Sequence, residues 1–171
     1  MAWPGKTTTP NAERFARLVQ PHLPAAYRLA LWLLRDPAAA EDVVQDAAER
    51  ALRNMDGFRG GNERAWVLRI VRNRALDTIA GSRPTCTLDE DMPDNAASPE
   101  AALGEVEGRA TLHQALALLP ATLRECVVLR ELEECSYREI ADIAGIPIGT
   151  VMSRLWKGRQ MLMQLTQGLR A

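Results

Sequence analysis

Aromatic side chains make up only 5% of the 171 residues, whereas Ala, Leu and Arg are abundant. That composition favours helices over strands. The three cysteines, Cys86, Cys126 and Cys135, have no C-x-x-C spacing, and the two histidines do not complete a zinc-binding pattern with them. We therefore interpret the cysteines as reduced thiols in a core or a linker rather than as a metal site or a redox switch.

Long apolar runs are also missing. The longest uninterrupted apolar stretch is far too short to span a bilayer, and the N-terminal residues lack the apolar segment of a secretory signal. We expect a cytoplasmic protein. The sequence offers no nucleophile beside a base, no phosphate-cradling loop and no metal cluster. We therefore expect a protein that is not an enzyme and has no metal or cofactor.

Acidic residues are absent after Asp142, although the formal net charge of the whole chain is only −1. Residues 1–80 are net +3, residues 81–108 are net −6 and residues 109–171 are net +2. Two mildly basic blocks therefore flank an acidic connector. Because neutralisation of phosphates supplies most non-specific affinity, such a chain should bind DNA weakly when alone.

The segment 136–159 has the pattern of two short helices joined by a tight turn. Ser136 and Glu139 form a capping box, so a helix should begin at Tyr137. Gly145 can adopt a positive φ and end that helix. Pro147 prevents the helix from resuming at once. This pattern predicts a DNA-binding helix-turn-helix.

The second helix of this motif should begin at Ile148 and be amphipathic. Its apolar arc contains Val151, Leu155, Gly158, Leu162 and Leu165. The opposite arc contains Met152, Ser153, Trp156, Lys157 and Gln160, with Arg154 and Arg159 on its flanks. A positive helix without acids after a glycine-containing turn suits the major groove. The alternative is a helical hairpin packed for structural reasons, whose charges form a solvated face.

The N-terminal half is predicted to be helical after a disordered leader over residues 1–10. Helices are expected over residues 11–20 and 25–35, and Asp36-Pro37 should start a third helix that runs to about Asn54. Acidic and amide side chains share the outer face of this third helix: Glu41, Asp42, Gln45, Asp46 and Glu49. This acidic ridge is either a solvated helix face or a docking surface for a basic partner.

A fourth helix should begin after Asn62 and run to Ala80. Arg69, Arg72 and Asn73 share one side of it, which suits melted nucleic acid but equally a solvated arginine face. Residues from 81 to 95 read as a flexible linker. Helices are then expected over about 99–119 and 122–134.

Three ordered segments resemble one family. Residues 40–46 are similar to the helix of sigma region 2 that docks on the clamp helices of the polymerase β′ subunit. Residues 58–60 and 65–73 are similar to the segment that opens and reads the −10 promoter element. Residues 136–141 and 146–155 resemble the region 4 helix-turn-helix that reads the −35 element. Over about residues 11–165, the chain resembles a bacterial sigma factor of the extracytoplasmic-function (ECF) group.

The resemblance implies an all-α protein of two small helical domains: region 2 over 11–81 and region 4 over 99–168, joined by a flexible acidic linker over 82–98. The implied function is that of an alternative sigma factor, which binds core RNA polymerase and directs promoter-specific initiation. The implied partners are core polymerase, promoter DNA and an anti-sigma factor that covers the binding faces, with no membrane insertion.

The resemblance also assigns site residues. Those for polymerase would be Asp42, Gln45, Asp46 and Glu49. Those for the −10 element would be Trp66, Arg69, Arg72 and Asn73. Those for the −35 element would be Thr150, Ser153, Arg154, Trp156, Lys157 and Arg159, with Thr150 and Arg154 placed to position phosphates.

Three residues of the predicted −35 helix depart from the family pattern. Met152 stands where a basic residue is usual, and Gly158 replaces a usual alanine at about 1 kcal/mol of helix propensity. Trp156 is large and apolar on the predicted exposed face. It would contact a thymine methyl or a partner surface, unless the helix is rotated and Trp156 is a core residue.

Two other functions would also use a helix-turn-helix or a helical scaffold. A stand-alone regulator would bind duplex DNA as a dimer, but it needs neither the acidic ridge nor the arginine segment. An adaptor that binds only proteins does not need an acid-free terminal helix.

Overall fold

The computed structural model describes residues 10–81 and 102–170, and this part of the chain is built from helices. The first four are α1 (Pro10–Leu18), α2 (Leu23–Leu34), α3 (Pro37–Arg53) and α4 (Glu63–Gly81). The second four are α5 (Ala102–Leu118), α6 (Ala121–Val127), α7 (Tyr137–Ala144) and α8 (Ile148–Arg170). Most of the expected leader and all of the linker over 82–98 lie outside the described residues.

Helices α2, α3 and α4 pack on one another as the N-terminal bundle, with α1 against α3. The predicted start of α3 is confirmed: the Asp36 carboxylate accepts hydrogen bonds from the amides of Ala38 at 2.9 Å and Ala39 at 3.2 Å. The side chain of Asn62 likewise accepts from the amide of Ala65 at 2.9 Å and caps α4. These caps satisfy amides that a helix start leaves unpaired.

Helices α5 to α8 form the C-terminal bundle, in which α8 packs against α5, α6 and α7. The predicted helix-turn-helix is confirmed at the level of structure. Ser136 and Glu139 form the capping box of α7, and Gly145 ends α7 at φ 66°. Val151 and Leu155 of α8 are fully buried, as the apolar arc predicts. Among the described helices, none has the length and apolarity needed to cross a membrane.

The helix expected over 122–134 is not uniform. Its α-helical part ends at Val127, and a π-helical turn follows over Val128–Leu132. The amide of Glu133 donates to the carbonyl of Val128 at 3.1 Å, five residues earlier. A π turn holds one more residue than an α turn, so it rotates every position that follows it.

The two bundles contact each other through α4 with α7 and through α2 with α6. The ring of Trp32 on α2 lies 5.0 Å from that of His113 on α5. A single connected set of buried apolar residues runs through both bundles, including Leu29, Leu68 and Leu129. The predicted domains are therefore packed together here.

Candidate polymerase and nucleic-acid interfaces

The acidic ridge lies on the solvent side of α3. Asp42, Gln45 and Glu49 are exposed. The opposite side of α3 is buried against the bundle and consists of small or branched residues: Ala40, Val43, Ala47 and Ala51. Burial of this face fixes the rotation of the helix. The three exposed side chains are therefore held outward on a packed support.

Asp46 is the residue of the predicted polymerase site whose side chain bonds to another helix, whereas Glu49 pairs with Arg53 within α3. Its carboxylate accepts hydrogen bonds from Arg74 on α4 and from Arg50 at 3.2 Å on α3. Partial burial alone would raise the pKa of Asp46, but the bonds and charges of Arg74 and Arg50 outweigh it and lower that pKa. Asp46 thus links α3 to α4, a contact that the sequence did not reveal.

The four predicted −10 residues lie in three different environments on α4. Arg69 and Asn73 are exposed and lie one helical turn apart. Trp66 is half-buried, with its ring 5.4 Å from that of Phe58. Arg69 and Asn73 are therefore available to a ligand, whereas Trp66 helps to hold the segment before α4 against the bundle.

Arg72 has the third environment, an ion pair with the C-terminal bundle. Its guanidinium donates to both carboxylate oxygens of Glu125 on α6, and its Nη1 donates to the Asn73 side chain at 3.3 Å. The side chain of Arg72 is 16% exposed and that of Glu125 is 2% exposed. Arg72, which is predicted to bind promoter DNA, is therefore paired here with Glu125 of the C-terminal bundle.

The predicted −35 face of α8 is exposed. Ser153 and Lys157 lie on the surface, and the side chain of Trp156 is 64% exposed. The alternative of a rotated helix with Trp156 in the core is therefore wrong. An open cleft of about 330 Å³ on this face is lined by Tyr137, Met152, Trp156, Arg159 and Gln160.

The residues at the edges of this face, Arg159, Thr150 and Arg154, are paired or partly buried, unlike those at its centre. Arg159 donates to Glu131 at 2.7 and 3.0 Å, and these hydrogen bonds raise the pKa of Arg159. Both partners are about half exposed, so the pair is weak and can open for a ligand. Thr150 and Arg154 are half-buried, and the Thr150 carbonyl accepts from the hydroxyl of Ser153 at 3.0 Å.

Gly158 has a structural reason to be glycine. It is buried where α8 crosses α6. A Cβ at this position would lie 2.7 Å from Cγ2 of Val127. Real carbon contacts optimally lie near 3.5–4.0 Å, so a methyl group does not fit without movement. The loss of helix propensity at Gly158 is thus linked to close packing of α8 on α6.

The described cysteines are buried. Burial raises the pKa of Cys126, and it raises the pKa of Cys135 to about 11. A thiol with a raised pKa is largely protonated and unreactive near neutral pH. Both residues behave as small core side chains, as expected, while Cys86 lies outside the described residues.

Sequence reasoning missed the buried acids Glu125 and Glu133. Glu133 is paired with Arg28 and Arg64 of the N-terminal bundle. For Glu125 a signal was present in the sequence, since this residue directly precedes the apolar run over 126–129. A carboxylate that is buried together with such a run needs a partner.

Two family models and several known proteins match this chain. Residues 18–85 match the family model of Sigma-70 region 2, and residues 109–162 match that of Sigma-70, region 4. The ECF RNA polymerase sigma factor SigW of Bacillus subtilis (strain 168) is 30% identical over 165 residues, which covers 89% of this chain and 88% of SigW.

The ECF RNA polymerase sigma factor SigE of Mycolicibacterium smegmatis is 35% identical over 150 residues, covering 85% of this chain. The matched part is 58% of that SigE, so this chain spans less than two thirds of the length of that relative.

Among solved structures, the sigma factor RpoE of Bartonella quintana, in complex with the anti-sigma factor NepR, superposes with a TM-score of 0.72 at 27% identity. It covers 90% of this chain and 96% of that one. The described bundles coincide with the two matched regions, since α2 to α4 lie within the first match and α6 and α7 within the second. This chain belongs to the ECF group of RNA polymerase sigma factors, with a sigma-70 region 2 followed by a sigma-70 region 4.

Proposed function

We propose that this protein is an alternative sigma factor that binds core RNA polymerase and directs initiation by recognising −10 and −35 elements. The observation that carries the proposal is the solvent face of α8. Trp156 and Lys157 are exposed there without a neighbouring acid in the helix, and α8 follows a capped, glycine-terminated α7. That combination suits insertion into a major groove.

Core polymerase would bind the acidic ridge of α3. Asp42, Gln45 and Glu49 are the proposed direct contacts, because they are exposed on a helix whose other side is packed. Charges on such a rigid support favour a basic partner and accelerate its association. Asp46 would act by holding the ridge against α4 through Arg74.

The melted −10 strand would bind α4. Arg69 and Asn73 are exposed on the same side of this helix, where a guanidinium can hold a phosphate and an amide can pair with an unstacked base. Arg72 would join them when it is released from Glu125. Trp66 would support this surface through its contact with Phe58.

The −35 duplex would bind α8. Ser153, Trp156, Lys157 and Arg159 would face the groove, while Thr150 and Arg154 would position phosphates at its edge. Trp156 would contact a thymine methyl, which is the apolar group of the major groove.

An anti-sigma factor is the other proposed partner. The similar RpoE chain was solved in complex with the anti-sigma factor NepR. In this chain, Met152 and Trp156 leave apolar surface exposed beside the cleft on α8. We propose that such a partner covers this surface, that the protein acts in the cytoplasm, and that it catalyses no covalent change.

The decisive experiment is run-off transcription with core polymerase, the purified protein and a library of promoters. The expected result is initiation from a subset of promoters that depends on both proteins. Initiation from no promoter in the library would contradict the sigma function. Binding of duplex promoter DNA by a dimer in the absence of polymerase would instead support a stand-alone regulator. If the protein neither supports initiation with polymerase nor binds duplex DNA without it, an adaptor would be supported.

A further inference from the structure

Two carboxylates of region 4 are removed from water where this region meets region 2. The side chain of Glu133 is 0% exposed and that of Glu125 is 2% exposed. Their partners are three arginines of region 2: Arg28 on α2, and Arg64 and Arg72 on α4. Each carboxylate is therefore neutralised only when the two regions are together.

Glu133 is held from two helices at once. Arg28 donates through Nε and Nη2 to both of its oxygens at 2.8 Å. Arg64 donates to the carboxylate at 2.7 Å and to the backbone carbonyl of Glu133 at 2.6 Å. Planar two-point contacts of this kind fix orientation as well as distance. They set the position of region 4 on region 2.

The π-helical turn brings Glu125 and Glu133 to the same side. In a continuous α-helix, residues eight apart differ in direction by about 80° because each residue turns about 100°. One extra residue in a wider turn reduces this difference to about 20°. The turn over Val128–Leu132 lies between the two glutamates. Local geometry thus aims both acids at region 2.

This contact is specific without being strong. The charged groups lose hydration when the two regions come together, and the attraction between them offsets little more than the free energy of that lost hydration. When the regions separate, all five charged groups regain water. An interface of this composition favours one closed arrangement and still opens when a competitor binds the arginines.

We propose that the contact is autoinhibitory. Glu125 forms an ion pair with Arg72 and so takes the place of a DNA phosphate, while Glu133 holds region 4 in the position that allows this ion pair to form. The inference rests on the proposed role of Arg72 in −10 binding. The free protein would therefore bind melted DNA poorly, and separation of the two regions would expose Arg72 beside Arg69 and Asn73.

The test uses the full chain with Glu125→Gln and Glu133→Gln together. The control is Glu134→Gln with Asp142→Asn, which removes the same charge from exposed positions of region 4. Small-angle X-ray scattering measures whether the regions separate. Fluorescence anisotropy at fixed salt measures binding of a labelled, mixed-sequence single strand of about 12 nucleotides.

The interface variant should have a larger radius of gyration and bind the strand about tenfold more tightly than the control, because apparent affinity scales with the competent fraction. A variant that folds but stays compact overturns the proposal. So does one that opens but binds no better than the control. If the double variant does not fold, Glu133→Gln alone decides by the same measurements against Glu134→Gln, because it removes the carboxylate that Arg28 and Arg64 hold.

Run-off transcription separates this proposal from the proposed function. Initiation by the wild type together with unchanged strand binding by the interface variant contradicts only the autoinhibition. Failure of both proteins to initiate with core polymerase contradicts the sigma function, whatever the scattering shows.

Discussion

Replacing Gly158 by alanine should destabilise the protein, although alanine is the better helix former. The added Cβ would lie 2.7 Å from Cγ2 of Val127, and also 3.6 Å from the carbonyl oxygen of Leu123. Val127 is buried and branched at Cβ, so its methyl groups cannot rotate away easily within a helix. Either α8 moves away from α6 or Val127 adopts a strained rotamer.

The magnitude follows from two opposing effects. Overpacking of a well-filled core costs about 1–3 kcal/mol, and exchanging glycine for alanine in a helix gains about 1 kcal/mol. We expect a net loss of about 1 kcal/mol in the free energy of unfolding. For a chain of this size, that loss lowers the melting temperature by about 2–4 °C.

Urea unfolding followed by circular dichroism measures this change, with Gly168→Ala as the matched control. Gly168 also lies in α8, but a Cβ there meets nothing within 4 Å. This control should stabilise by up to about 1 kcal/mol. In a Val127→Ala background, Gly158→Ala should also become stabilising. The explanation fails if Gly158→Ala stabilises the wild type as much as the control does.

Three further predictions concern the surface and the caps. Asp42→Arg with Glu49→Arg should abolish co-elution with core polymerase while the unfolding midpoint changes little, because both residues are exposed on α3 and the Glu49–Arg53 pair is a surface one. Glu13→Arg, a single reversal on the exposed side of α1, is the control for charge reversal elsewhere on the surface. Retained co-elution of the double variant would refute the docking role. Lys157→Ala should weaken −35 binding by about 1–3 kcal/mol if Lys157 contacts a base; an equal loss on matched and scrambled duplexes would assign it to phosphate. Glu139→Gln keeps the capping box but removes a carboxylate whose pKa is lowered by hydrogen bonds from the backbone and side chain of Ser136. The stability advantage of the wild type over this variant should be complete above pH 4.5 and disappear as the pH falls through the lowered pKa, and an advantage that does not change with pH would contradict the assignment.

Elements defined by local chemistry were predictable from the sequence. The start of α3 follows from Asp36 and Pro37, and that of α7 follows from Ser136 and Glu139. Each signal lies within four residues of the feature that it specifies, so no knowledge of tertiary structure is needed. The exposed face of α8 was predictable for the same reason, because a helix of known start has a fixed periodicity.

The contacts between the two regions were not predictable in this way. Arg72 and Glu125 are 53 residues apart, and Arg28 and Glu133 are 105 apart. Helical periodicity places Arg72 beside Arg69 and Asn73, but it cannot identify a partner on another helix. The π turn was not predicted either, because no glycine or proline interrupts residues 121–132 to mark it in the sequence. Assignment of Asp46 to polymerase likewise overlooked Arg74, which only the folding of α4 onto α3 brings into contact.

The hydrogen bond between the side chains of Asn62 and Glu139 joins two helix caps directly. Asn62 donates to Glu139 through its amide nitrogen, while its oxygen still accepts from the amide of Ala65 at the start of α4. Glu139 uses its other oxygen to accept from the amide of Ser136 at 2.6 Å. If this link breaks, each cap keeps its own amide, so α4 and α7 both remain intact. The two regions can therefore part and rejoin as folded units without fraying the helices at the joint.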